Sequence, residues 1–196
     1  LKTKEDIAET LKKVKEIGYD VVQVSGMEPI DPKELKRILI NNKLLACSVH
    51  YGYNEIIKEP ERILEECKIV GYETVACPWL DDEYHNEYGF KKVANEFNKA
   101  GKYFYDNGVI LVYHNHGFEF KKYNGKTGFE IMMEETDPRY LQTEIDTYWV
   151  QYAGGDPVEW ILKYKGRCPI VHLKDMMIKN NWEHQMMEIG EGNLNW

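Results

Sequence analysis

Short apolar runs alternate with stretches of helical period along the whole chain, and this alternation limits the available folds more than any other feature. From Thr3 to Ile17 the apolar residues Ile7, Leu11, Val14 and Ile17 form one helical stripe, which Gly18 ends. Asp20 to Ser25 then reads as a short buried strand. Asp31-Pro-Lys-Glu offers an N-cap with proline at the first helical position, predicting a helix to about Asn42. The same reading predicts strands over 44–50, 74–78, 109–114, 141–146 and 170–174. It predicts helices over 60–71, 88–107 and 128–136, and another opened by Asp156-Pro157. Strands alternating with helices imply βαβ units and a parallel sheet. No Pro/Gly/Ser-rich linker or low-complexity stretch interrupts the pattern, so residues 1–196 are expected to form one domain.

The polar residues in these strands are not scattered. His50, Trp79, His114, Asp146 and His172 all fall at or just past a strand's C-terminal end. In parallel sheets and α/β barrels that edge feeds the loops that form the site. The stretch VYHNHGFEF, residues 112–120, alone holds two of the six histidines, His114 and His116. No G-x-G-x-x-G, G-x-x-x-x-G-K-[ST] or G-x-S-x-G pattern is present, which removes a nucleotide cradle and a serine nucleophile elbow. Imidazole and carboxylate are what remain, a ligand set suited to Mn, Zn, Fe, Co or Mg rather than to soft metals.

Composition sets the outer bounds. A formal net charge of -8 disfavours a nucleic-acid partner, because phosphate-backbone binding is driven by Lys and Arg displacing counterions. No apolar run approaches the roughly 20 residues that span a bilayer. No membrane partner is therefore expected, and the cytoplasm is the expected compartment. Cys47, Cys67, Cys77 and Cys168 show no C-x-x-C spacing and read as reduced structural thiols.

Four segments, Leu111–Phe120, Glu144-Ile-Asp146, Val171-His-Leu-Lys-Asp175 and Gly190-Glu-Gly192, occur in this order. Together they resemble the sugar phosphate isomerase/epimerase group of xylose isomerase-like TIM barrels. The resemblance implies a (β/α)8 barrel and a divalent metal (Mn, Mg, Co or Zn). It implies an isomerase or epimerase that acts on a sugar or keto-sugar through a metal-stabilised enediolate. The alternatives are a dehydratase or lyase of the same fold, or a non-catalytic sugar-binding barrel. Asp146 and His172 match the family's metal aspartate and histidine. His114 stands where the family places a ligating, acid/base glutamate, so metal and catalytic roles fall to it, while Glu119 follows as a catalytic and substrate-binding carboxylate. His50, Trp79, His116, Trp149 and Lys174 are the further substrate-binding candidates, and Glu191 is a weaker substitute for the last metal glutamate. Six predicted strands against the eight of a closed barrel imply that strand one and the last βα unit are missing. An open sheet edge invites self-association, so a homo-oligomer is an expectation.

Overall fold

The structure is a computed structural model that describes residues 3–196. Its helices are α1 (Lys4–Ile17), α2 (Pro32–Asn41), α3 (Tyr53–Lys58), α4 (Pro60–Val70), α5 (Glu87–Asp106), α6 (Gly128–Glu134), α7 (Thr147–Tyr152) and α8 (Pro157–Lys163). Its strands are β1 (Val21–Val24), β2 (Leu45–His50), β3 (Thr74–Cys77), β4 (Ile110–His114), β5 (Lys122–Tyr123), β6 (Lys126–Thr127), β7 (Gln142–Asp146), β8 (Ile170–His172), β9 (Asp175–Ile178) and β10 (His184–Met187). Local chemistry sets the helix starts. Thr3 and Thr127 each close a capping box, and the Asp31 carboxylate accepts from the backbone N–H groups of Lys33 and Glu34. Gly18, at φ +115°, ends α1 in the left-handed region that favours glycine.

Six strands form one parallel sheet in the order β1-β2-β3-β4-β7-β8. The sheet is strongly curled, because side chains from its first and last strands touch: His172 Nε2 lies 2.6 Å from Gln23 Oε1. Six of the eight strands of a (β/α)8 barrel are thus present, with helices outside and a lumen within. Successive side chains of a strand point to opposite faces. On the outer face Val75, Leu111, Tyr113 and Ile145 pack with Phe90, Phe97, Phe104, Phe129 and Met132 of the helices, all essentially inaccessible. Burying each such phenylalanine or leucine contributes roughly 1.5–3 kcal/mol. The lumen face is polar by contrast, with Ser48, Thr74, His114, Glu144 and Asp146 all buried.

Each predicted strand and helix is found, but β1, expected to be buried, is only half-buried because it lies at the edge of the sheet, and two further kinds of difference appear. Helices α3 and α7, six residues each, and the hairpins β5–β6 and β9–β10 are additional. Segments this short carry too few turns or alternations to show a period. Strand β8 also stops at His172 rather than at residue 174. Leu173 turns outward, 57% exposed, and Thr147 Oγ1 accepts from the Lys174 N–H at 2.9 Å.

Candidate active site

Glu144 and Asp146 are two residues apart on β7, so both point into the lumen, and both are fully buried. Two buried carboxylates cost several kcal/mol each unless paired, and the surrounding strands supply the pairing. Glu144 Oε2 accepts from Gln23 Nε2 at 2.7 Å. Its Oε1 faces His50 Nε2 at 3.1 Å, His114 Nδ1 at 3.2 Å and His172 Nε2 at 3.1 Å. Burial pushes the Glu144 proton affinity up. The bonds from His114 and His50 more than offset this and hold the carboxyl well below the usual range. Ionised Glu144 can only accept, so His114 Nδ1 and His50 Nε2 donate to it. Ser25 Oγ, 3.0 Å from His50 Nδ1, then engages that ring's other nitrogen.

Asp146 is held differently. Its Oδ1 accepts from the Trp149 N–H at 3.2 Å, capping α7. The buried side chain of Asn115 brackets its backbone: Oδ1 accepts from Asp146 N at 3.0 Å, and Nδ2 donates to Asp146 O at 3.4 Å. Asp146 Oδ2 is buried and makes no hydrogen bond among the described residues. It faces Lys174 Nζ at 3.5 Å, His114 Nε2 at 3.9 Å and His172 Nδ1 at 4.0 Å.

Among the described residues two groups could hold a metal ion, His114/Asp146/His172 and His50/Glu144/His172. In each group one ligand atom per residue lies within 4.8 Å of the others. In the second group the facing atoms already bond one another. The first offers an orphaned carboxylate oxygen and a His114 Nε2 whose partner nitrogen carries the proton. A hard or borderline divalent ion fits this first set.

Around it stands an aromatic wall. His116 meets His114, Trp79 and Trp149 at ring-centroid distances of 4.9, 5.0 and 5.0 Å, and Lys174 Nζ lies 5.6 Å from the Trp149 ring. His116 Nδ1 and Trp149 Nε1 are buried and unpartnered among the described residues. Burial pulls the His116 proton affinity down to about 3, leaving the ring neutral. The structure therefore brings together seven of the residues singled out in the sequence: His50, His114, His116, Asp146, Trp149, His172 and Lys174. Trp79, 47% exposed, forms the outer lip.

Two expectations are corrected, for Glu119 and Glu191. Glu119 does not face the lumen. It is fully buried beside Tyr113 on the helix side of β4, accepting from the Tyr113 hydroxyl at 2.7 Å and the His116 N–H at 2.9 Å. With both oxygens engaged and no exposure, it does not reach a substrate. His114 turns Nδ1 to Glu144 at 3.2 Å and Nε2 toward Asp146 Oδ2 at 3.9 Å, so ligand and base roles would draw on the same Nε2 lone pair. Glu191 is exposed, and its loop is tied elsewhere: Asp175 accepts from the backbone N–H groups of Gly190 and Gly192. A Cβ on Gly192 would lie 2.3 Å from Asp175 Oδ1, so only glycine permits this approach.

Sequence reasoning missed Glu144, Gln23 and Asn115 as site residues. Glu144 had a readable signal, since an acid two residues before Asp146 on a strand shares its face.

Residues 11–196 match the family described as xylose isomerase-like TIM barrel, and the chain belongs to that family. It is 29% identical over 182 residues to the inosose dehydratase of Clostridium botulinum (strain Alaska E43 / Type E3), covering 81% of this chain and 60% of that protein. It is 26% identical over 190 residues to the inosose dehydratase of Mesomycoplasma hyopneumoniae (strain J), covering 86% of this chain and 62% of that protein. The chain thus spans about three fifths of the length of these curated relatives. Among solved structures it resembles a sugar phosphate isomerase/epimerase from Parabacteroides distasonis ATCC 8503. That match has a TM-score of 0.78 at 24% identity over 90% of this chain and 72% of the other. It also resembles the 3-keto-D-glucoside 4-epimerase from E. coli, with a TM-score of 0.66 at 18% identity over 97% of this chain and 79% of that one. These two share the fold. No helix among the described residues is long and apolar enough to cross a membrane.

Proposed function

We propose that the chain forms most of the active site of a sugar-processing enzyme that labilises the carbon next to the carbonyl of a keto-polyol. In this reading a divalent metal is held by His114, Asp146 and His172. Dehydration of an inosose-type cyclic ketone is the outcome to test first, because the curated relatives are named inosose dehydratases. Isomerisation or epimerisation would begin with the same proton removal. The observation that carries the reading is Asp146 Oδ2, buried and without a hydrogen bond among the described residues, facing imidazole nitrogens of His114 and His172.

When bound, the ion supplies Lewis acidity toward substrate oxygens. The remaining work falls to the chain. The Lys174 ammonium sits beside Asp146 at the mouth, where it neutralises charge developing on an oxygen. His116 Nδ1 accepts from a substrate hydroxyl and Trp149 Nε1 donates to another, which satisfies both orphaned atoms. Trp79 and Trp149 offer apolar faces to the ring carbons and exclude water.

The test is Asp146→Asn in the full-length protein, with Mn2+ binding followed by calorimetry and turnover followed on a panel of inososes and ketoses. The expected result is loss of both, with affinity falling by more than the 10–100-fold typical of losing an outer partner. Turnover that survives both Asp146→Asn and chelation would overturn the reading.

A further inference from the structure

Gln23 has no place in the chemistry so far, yet it reaches across the lumen from β1 to both β7 and β8. Its amide bonds three partners: Nε2 donates to Glu144 Oε2 at 2.7 Å and to Ser48 Oγ at 2.9 Å, and Oε1 meets His172 Nε2 at 2.6 Å. We propose that Gln23 is a positioning residue that sets the tautomer of His172 and thereby aims the Nδ1 lone pair at the ligand position beside Asp146. The proposal rests on the reading that His114, Asp146 and His172 hold the ion.

The argument is one of donor and acceptor parity. A carboxylate only accepts, so the Gln23 amide must turn its NH2 toward Glu144; the flipped amide would press an oxygen against that carboxylate. Both Gln23 N–H groups are then used, on Glu144 and Ser48. The carbonyl Oε1 is left facing His172, and an oxygen there requires Nε2 to carry the proton. A neutral imidazole has one N–H, so Nδ1 keeps its lone pair, and Nδ1 is the nitrogen 4.0 Å from Asp146 Oδ2. The second atom facing Nε2, Glu144 Oε1 at 3.1 Å, demands the same proton. That oxygen already collects His50 Nε2 and His114 Nδ1, so Gln23 is the nearer and less shared acceptor. The parity also separates the two possible ligand groups. It assigns every nitrogen around Glu144 to hydrogen bonding and leaves the outward nitrogens of His114 and His172 for the ion. Metal-ligating histidines are commonly fixed in this way through their second nitrogen.

The experiment reads the tautomer directly in the metal-free, full-length protein with 15N-labelled histidine, using long-range 15N–1H correlation. The wild type is expected to show His172 protonated on Nε2. In Gln23→Met, which keeps the shape, the only acceptor left at His172 Nε2 among the described residues is Glu144 Oε1, already shared with His50 and His114, so the Nδ1–H tautomer should gain population and the Mn2+ dissociation constant should rise roughly 10–100-fold. Gln23→Glu puts an oxygen where Nε2 met Glu144 Oε2, so the two carboxyls must share a proton there; its other oxygen still accepts from His172 and should hold the Nε2–H form. A wild-type His172 protonated on Nδ1 would overturn the proposal, and so would a Gln23→Met protein with unchanged tautomer and unchanged Mn2+ affinity. A wild type that binds no Mn2+ would instead overturn the parent reading, and the tautomer spectra would still decide the role of Gln23.

Discussion

Glu144 and Glu119 are both fully buried, yet the fold treats them in opposite ways. Burial raises the proton affinity of each. At Glu144, bonds from His114 and His50 reverse that and hold the group ionised. At Glu119, burial wins and pushes the carboxyl up to about 8, against bonds from the Tyr113 hydroxyl and the His116 backbone. The difference is set by which face of a strand each meets. Glu144 lies on the lumen face, where Gln23, His50, His114 and His172 from four other strands bring nitrogens to it. Glu119 sits on the helix side beside Tyr113, whose ring lies against Phe97 and Phe129. Burial alone therefore says little about a carboxylate's charge; the number of donors aimed at it decides. The lumen face can host a charged site because its donors are preset, while the outer face keeps its acid as a structural group.

The largest expected effect is at Glu144. Glu144→Gln keeps the shape but removes the charge and one acceptor from a group ringed by His50, His114 and His172. Breaking such a buried cluster from one side costs about 3–5 kcal/mol, measured as a fall in the urea midpoint with unchanged slope. Because the folded carboxyl is held below its ordinary value of 4.5, the wild-type advantage is present above that pH and is lost as pH falls below it. A cost under about 1 kcal/mol would show that the hub is not the organising charge of the lumen.

Glu119→Gln should behave in the opposite sense. The folded group titrates near 8 against an ordinary 4.5, so the unfolded chain binds fewer protons across that interval. The stability that wild type draws from a neutral Glu119 is fully present below about 4.5 and is lost as pH rises through about 8. The variant cannot ionise, so wild type should lose ground to it over that window by on the order of a few kcal/mol. Urea unfolding at a series of pH values checks this, and parallel curves for the two proteins would erase the contrast between the glutamates.

The sequence showed the alternation and the six strands, because apolar runs bounded by glycine and proline carry their period on their face. It showed the strand-end residues His50, His114, Asp146 and His172 for the same reason. The inner layer was harder to read. Gln23 is a lone polar residue among valines, and nothing local reveals that it crosses the lumen to residues more than a hundred positions away. The resemblance assigns Glu119 to the substrate because the family tends to place a substrate-binding carboxylate at that point of the motif, and the structure departs from it. The 3-10 turn Phe118–Phe120 carries Glu119 to the other side of the strand, and which way such a turn faces is decided by packing. Short elements such as α3 and α7 are held by tertiary contacts and do not announce themselves.

The smallest change, Tyr113→Phe, tests the donor argument from the other side. It removes one hydroxyl whose hydrogen bond to Glu119 Oε1, at 2.7 Å, favours the ionised form. The ring stays packed, so the stability cost should be about 1 kcal/mol, the net worth of one hydrogen bond. With one donor fewer, the Glu119 carboxyl should titrate above its wild-type position near 8, widening its separation from Glu144. The interval over which the folded protein loses stability with rising pH should extend upward by the same amount. Carboxyl 13C chemical shifts of Glu119, followed against pH in the variant and the wild type, read this shift directly. A midpoint that moves down, or does not move, would mean that burial alone governs this glutamate.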